Sequence, residues 1–206
     1  MSPPEQNASA SRLQTPIGER DYTTGPADAP VTLLEYGDYE CPYSRKGYQL
    51  AQRLLQMEAP ALRFAFRQFP LTNIHPHAES AAEAALAAGA QGHFWEMSSR
   101  LFEHQDALER ADLRRHAEQL GLDADAVDEA LRTERFRSRV DADTRSGLKS
   151  GVDKTPVFFV NGRRYDGPLR LEALQAALQR AGDTSGSAAP NPAAPRASDE
   201  RSQHKS

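Results

Sequence analysis

The chain carries one cysteine, Cys41, in the run Asp38-Tyr39-Glu40-Cys41-Pro42-Tyr43-Ser44. A deprotonated sulfur is a strong nucleophile and a protonated one is a small apolar filler, so the surroundings decide which chemistry is available. Proline directly after the cysteine suits the first position of a helix, where its missing N–H would have no partner anyway. Cys41 is then the residue that caps the helix, and its sulfur is expected to face unpaired N–H groups and the positive end of the helix dipole. Both favour the anion, so the sulfur is expected to be nucleophilic near neutral pH. The bland alternative, a lone buried thiol, has no need of a turn, a proline at the first helical position and flanking tyrosines.

The elements that must position this thiol are legible on both sides. Val31-Thr32-Leu33-Leu34-Glu35-Tyr36 is β-branched and apolar enough for a buried strand, and Gly37-Asp38 punctuates its end. Gly47, Leu50, Ala51, Leu54 and Leu55 then recur at helical spacing as one apolar stripe. Leu62, Phe64 and Phe66 alternate with Arg63, Ala65 and Arg67 in a second strand that ends at Pro70. Helices are expected from Pro76 to Ala88, Phe94 to Glu103, Asp112 to Leu120, Asp125 to Arg132 and Glu134 to Ser150. Val157 to Val160, the pair Asn161-Gly162 and Arg163 to Tyr165 read as a strand, a two-residue turn and a strand. A closing helix runs from Leu171 to Arg180.

Cys41-Pro42-Tyr43-Ser44 after a strand, with Lys154-Thr155-Pro156-Val157-Phe158-Phe159-Val160-Asn161-Gly162 far downstream, resembles the DsbA family of thioredoxin-like disulfide oxidoreductases. The resemblance runs from about Ala29 to Ala181 and includes Arg67-Gln68-Phe69-Pro70-Leu71, Ile74-His75-Pro76-His77-Ala78 and Gly92-His93-Phe94-Trp95-Glu96. It implies an α/β, thioredoxin-like fold with a four-to-five-stranded mixed sheet and an inserted all-helical subdomain at about residues 75–150. It also implies a cis peptide bond before Pro156, a loop lying against Cys41, and a Thr155 backbone that pairs with an incoming peptide. Pro42 and Tyr43 complete the expected substrate-binding set. Thioredoxin-like proteins place a buried acid six residues before the nucleophile, so the resemblance makes Glu35 a proton relay; the alternative is a strand-edge carboxylate paired with a surface arginine.

One departure from the family governs the expected chemistry. Its motif is Cys-x-x-Cys, and here the second position is Ser44, natural or introduced. A dithiol resolves its own mixed disulfide with the second sulfur, and serine cannot. Ser44 retains a hydroxyl that can donate to the Cys41 thiolate, or act as an ordinary first-turn residue. The expected enzyme is therefore a monothiol thiol–disulfide oxidoreductase acting on protein disulfides or thiols, with a small-molecule thiol or second protein completing the cycle. A non-turnover peptide-binding or chaperone-like module that keeps the groove is the alternative.

Composition narrows the remaining classes. With 206 residues and a net charge of −4, the basic residues scattered through the helices, the chain shows no nucleic-acid footprint and no stretch long enough to span a bilayer. Residues 1–24 are expected to form a flexible arm without the apolar core of a signal peptide, 25–182 the domain, and 183–206 a disordered tail. The corresponding expectation is a cytoplasmic protein. The histidines at 75, 77, 93, 104 and 116 fit no Cys/His metal spacing, and no metal or cofactor is expected. Phe94, Trp95, Met97, Leu101 and Phe102 read as core rather than as a ligand groove.

Overall fold

The computed structural model describes residues 12–186. Its five strands are β1 (Tyr22–Thr24), β2 (Val31–Gly37), β3 (Leu62–Gln68), β4 (Val157–Val160) and β5 (Arg163–Tyr165). They form one mixed sheet in the order β1-β3-β2-β4-β5. The first crossover helix, α1 (Pro42–Met57), joins β2 to its parallel neighbour β3, and β4 lies antiparallel on the other side of β2. β2 is thus the central strand, buried on both faces, which is why its sequence is nearly continuous in apolar residues instead of alternating.

Between β3 and β4 the chain builds the helices α2 (Ala78–Gly89), α3 (Phe94–Glu103), α4 (Arg110–Gln119), α5 (Ala124–Arg132) and α6 (Arg137–Lys149); α7 (Leu171–Gly186) closes the fold. α2 is buried on almost every side because its alanines let neighbouring helices approach closely. α4 begins before the expected Asp112 because Glu109 and Asp112 form a reciprocal capping box. Asp123 caps α5 by accepting the Ala126 N–H at 2.9 Å. Phe94, Met97, Leu101 and Phe102 are core residues, with Trp95 packed at the edge.

The sheet separates two apolar clusters. Leu33, Phe64 and Phe66 face α1, α7 and the insertion, whereas Leu34, Tyr36, Ala65 and Phe159 face the opposite layer. Period-two alternation along β2 therefore puts Glu35 on the same side as Leu33, beneath α1. α6 crosses the other face so closely that a Cβ on Gly147 would stand 2.7 Å from the Phe69 ring.

The expectation of a flexible arm through residue 24 is corrected for residues 12–24. Tyr22–Thr24 pairs antiparallel with β3, and Tyr22 stacks on Phe94 with ring centres 3.9 Å apart. Leu13 donates to the Gly162 carbonyl at 2.8 Å. Arg67 holds the segment between them: its guanidinium reaches both carboxylate oxygens of Asp21 at 2.8 and 2.9 Å, and the carbonyls of Thr15 and Pro16. These are long-range pairings, so local composition could not reveal them. Similarly, α7 continues to Gly186, past the expected boundary at 182. The expected tail from 187 and the arm through 11 lie outside the described residues. No helix among the described residues is long and apolar enough to cross a membrane.

Candidate active site

β2 ends at Gly37, where any side chain would meet the Phe66 ring: a Cβ there would stand 2.5 Å from it. The chain turns through residues 38–40 and delivers Cys41 to the N-terminus of α1. Cys41 is the capping residue, with φ −78° and ψ 122°, and Pro42 opens the helix. Its carbonyl accepts the first helical hydrogen bond, from Arg45 N–H at 3.1 Å.

No hydrogen bond joins the Cys41 sulfur to the first helical N–H groups. Its thiol donates instead to the carbonyl of Thr155 at 3.6 Å. The Thr155–Pro156 peptide bond is cis, and the loop it forms lies against Cys41, which is only 4% exposed. Thr155 Oγ1 is buried without a hydrogen-bond partner.

Ser44 is fully buried one helical turn after Cys41. Its hydroxyl oxygen accepts the Asp38 N–H at 3.1 Å, so it serves the turn; no bond to the sulfur accompanies it. Glu35 is also fully buried, and neither carboxyl oxygen has a hydrogen-bond partner. No arginine pairs with it. Burial pushes this carboxyl well above the ordinary range, and the neighbouring Cys41 sulfur raises it further. The carboxyl group sits under α1, among Gly47, Pro156 and Phe158.

A cleft of about 500 Å³ opens beside this centre, lined by Tyr43, Lys154, Thr155, Pro156, Phe158 and Tyr165 among others. Three of the four expected substrate-binding residues thus share one surface, and Tyr43 is 67% exposed on it. Pro42 is exposed at the helix start but does not line the cleft.

The residues that hold the Cys41 turn escape a reading by motif. Asp38, with its side chain inaccessible to solvent, accepts from the N–H groups of Glu40 and Leu71 and from His75 Nδ1, each at 2.8 Å. Glu40 accepts the His77 N–H at 2.7 Å, and Gln105 reaches in from the insertion. His75 and His77 belong to the quoted Ile74-His75-Pro76-His77 stretch, which was the available signal; Gln105 offers none. Among the described residues, no group of three or more His, Cys, Asp or Glu side chains is placed to hold a metal ion.

A cysteine at the start of the first crossover helix, faced by a cis-proline loop across a mixed sheet, defines the thioredoxin class of proteins. The chain belongs to the thioredoxin family, whose model matches residues 18–180. BdbD from Bacillus subtilis superposes with a TM-score of 0.74 at 21% identity, covering 84% of this chain and 98% of that one. A thioredoxin-like oxidoreductase from Silicibacter pomeroyi gives 0.72 at 26% identity, covering 81% and 94%. Alpha-DsbA1 from Wolbachia pipientis gives 0.71 at 18%, covering 84% and 96%. In sequence, the Na(+)/H(+) antiporter NhaA 3 of Salinispora tropica is 46% identical over 170 residues, 82% of this chain and 26% of that protein. The chain thus spans about a quarter of that relative's length.

Proposed function

We propose that this protein is a monothiol thiol–disulfide oxidoreductase acting through Cys41. The observation that carries the reading is the Cys41 sulfur at the N-terminus of α1, 3.6 Å from the Thr155 carbonyl of the cis-proline loop, with serine at the position where a resolving cysteine would stand. The Cys41 thiolate attacks one sulfur of a disulfide. A Cys41–sulfur bond forms, the original sulfur–sulfur bond breaks, and the displaced thiolate takes up a proton. An external thiolate then attacks the mixed disulfide, and Cys41 leaves as the reduced sulfur. Disulfide is conserved overall, and the electrons balance without any further oxidant.

Glu35 is the proton relay in this reading. Burial favours its neutral form, from which it can protonate the departing Cys41 sulfur, and it can recover the proton from the next incoming thiol. Tyr43, Thr155 and Pro156 provide the surface for the substrate, the Thr155 backbone pairing with an extended peptide. Ser44 supports the Cys41 turn through Asp38, and Pro42 starts the helix. The setting proposed is a reducing one, where an external thiol is always available to complete the cycle.

Incubation of the reduced protein with oxidised glutathione, followed by intact mass spectrometry, tests this. The expected product is a one-to-one adduct on Cys41 that persists until reductant is added. An inert Cys41 would transfer the reading to a peptide-binding module that keeps the groove without turnover.

A further inference from the structure

We propose that Gln105 is a positioning residue: through it the helical insertion holds Cys41 in the conformation that caps α1. The inference rests on the exchange chemistry proposed above and adds to it a control point outside the motif. Gln105 lies half-buried in the turn between α3 and α4. Its Nε2 donates to the carbonyl of Tyr39 at 2.6 Å and to that of Cys41 at 3.0 Å. Both partners only accept, so the amide nitrogen and not the oxygen must face them, and its two hydrogens are matched by two acceptors.

The two carbonyls bracket Glu40. Fixing both restricts the backbone rotations that carry the chain from the end of the turn into the helix. The Cys41 oxygen held by Gln105 is also the one that accepts Arg45 N–H and so begins α1. Rotation of Cys41 out of its extended capping conformation would break both bonds. The other side-chain anchors of the turn hold different groups: Asp38 and Glu40 reach outward through their carboxylates to residues 71, 75 and 77. Among the described residues, Gln105 is the only side chain that bonds to the Cys41 main chain, and it does so from 64 positions away. The direction of the sulfur, towards the Thr155 carbonyl, thus depends on where the insertion places one amide.

The test compares the full chain with Gln105→Leu, which removes both bonds at similar size, and Gln105→Glu, which sets an anionic acceptor against two carbonyls. Gln91→Leu is the control, because Gln91 makes a comparable clamp on Asp123 within the insertion, far from the motif. The reaction of Cys41 with dithiodipyridine is followed across pH alongside thermal unfolding. A positioning role predicts that both Gln105 variants slow the reaction about tenfold on the acid side of the profile and approach wild type at alkaline pH. Gln91→Leu should lower stability and leave the profile in place. Should Gln105→Leu not fold, Gln105→Met, uncharged and of similar length, carries the comparison. Profiles that superimpose on a reactive wild type overturn the role of Gln105 and leave the exchange mechanism standing. A wild type that does not react at all overturns both.

Discussion

Gly47 of α1 stands directly over the carboxyl group of Glu35 on β2: a methyl group at Gly47 would lie 2.9 Å from Glu35 Oε1, 3.0 Å from Pro156 Cγ and 3.1 Å from Phe158 Cζ. The helix that carries the nucleophile, the buried acid and the cis-proline loop therefore meet at one point, and the absence of a side chain is what lets them meet. In an exposed helix, replacing glycine with alanine stabilises by about 1 kcal/mol. Here Gly47→Ala is expected to destabilise by about 1–3 kcal/mol, because the neighbours are ring atoms and a buried carboxyl with little room to move. Chemical denaturation decides the sign, and a stabilised variant would mean the contact is looser than described.

Glu35→Leu should stabilise the protein, and more so as pH rises. The wild-type carboxyl has two buried oxygens without partners, so an apolar side chain of similar size removes a penalty of about 1–3 kcal/mol. Its folded-state value is raised above the ordinary 4.5, so the folded protein holds a proton there that the unfolded chain has lost. Wild-type stability from this group is complete below that ordinary value and declines as pH climbs through the raised one. Denaturation curves at acid and alkaline pH should show the gap between variant and wild type widening towards alkali. The same variant should slow release of the Cys41 adduct by external thiol, if the acid relays protons.

Ser44→Cys should shorten the lifetime of the mixed disulfide. A second sulfur one helical turn from Cys41 attacks intramolecularly, at an effective concentration of the order of millimolar or higher, in place of a slow wait for external thiol. Mass spectrometry of the glutathione adduct over time should show spontaneous loss in the variant and persistence in the wild type. Equal lifetimes would exclude the absent sulfur as the limiting feature. Because the Ser44 oxygen accepts the Asp38 N–H, the reduced variant should also lose a small amount of stability, about 0.5–1.5 kcal/mol.

Arg67→Met should cost up to about 3 kcal/mol, since it removes the bidentate partner of the buried Asp21 carboxylate and leaves Arg139, 3.7 Å away, as its remaining cation. Burial alone would push Asp21 upward, but the hydrogen bonds from Arg67 and Gly18 and the charges of Arg67 and Arg139 hold it below the ordinary 3.8. Its stabilising contribution is therefore complete above that value and disappears as pH falls through the lowered one. The paired change Arg67→Met with Asp21→Leu should recover most of the loss. Limited proteolysis should cut first among residues 12–21 in the single variant, while wild type resists there.

Residue types in order were sufficient for the thiol, the proline that starts its helix, the alternation of β3 and the helical stripe of α1, because these follow from local periodicity and from what each residue's backbone permits. The same reading located Glu35 and the Thr155-Pro156 loop through family resemblance, and named Ser44 as the break in the motif. What it could not contain was the set of contacts across long sequence separations. Tyr22–Thr24 becomes a strand because β3 offers an edge to pair with, and residues 12–21 are held by partners far along the chain: Arg67 for Asp21 and two carbonyls, Gly162 for Leu13 and Ser150 for Gln14. The sulfur turns to the Thr155 carbonyl, 114 positions distant, and the Ser44 hydroxyl turns to Asp38, because hydrogen bonds in the closed site select among partners that local sequence leaves equally available. Sequence determined which groups can react; the tertiary structure decided which of them meet, since burial and partnership belong to the assembled layers and to no single segment.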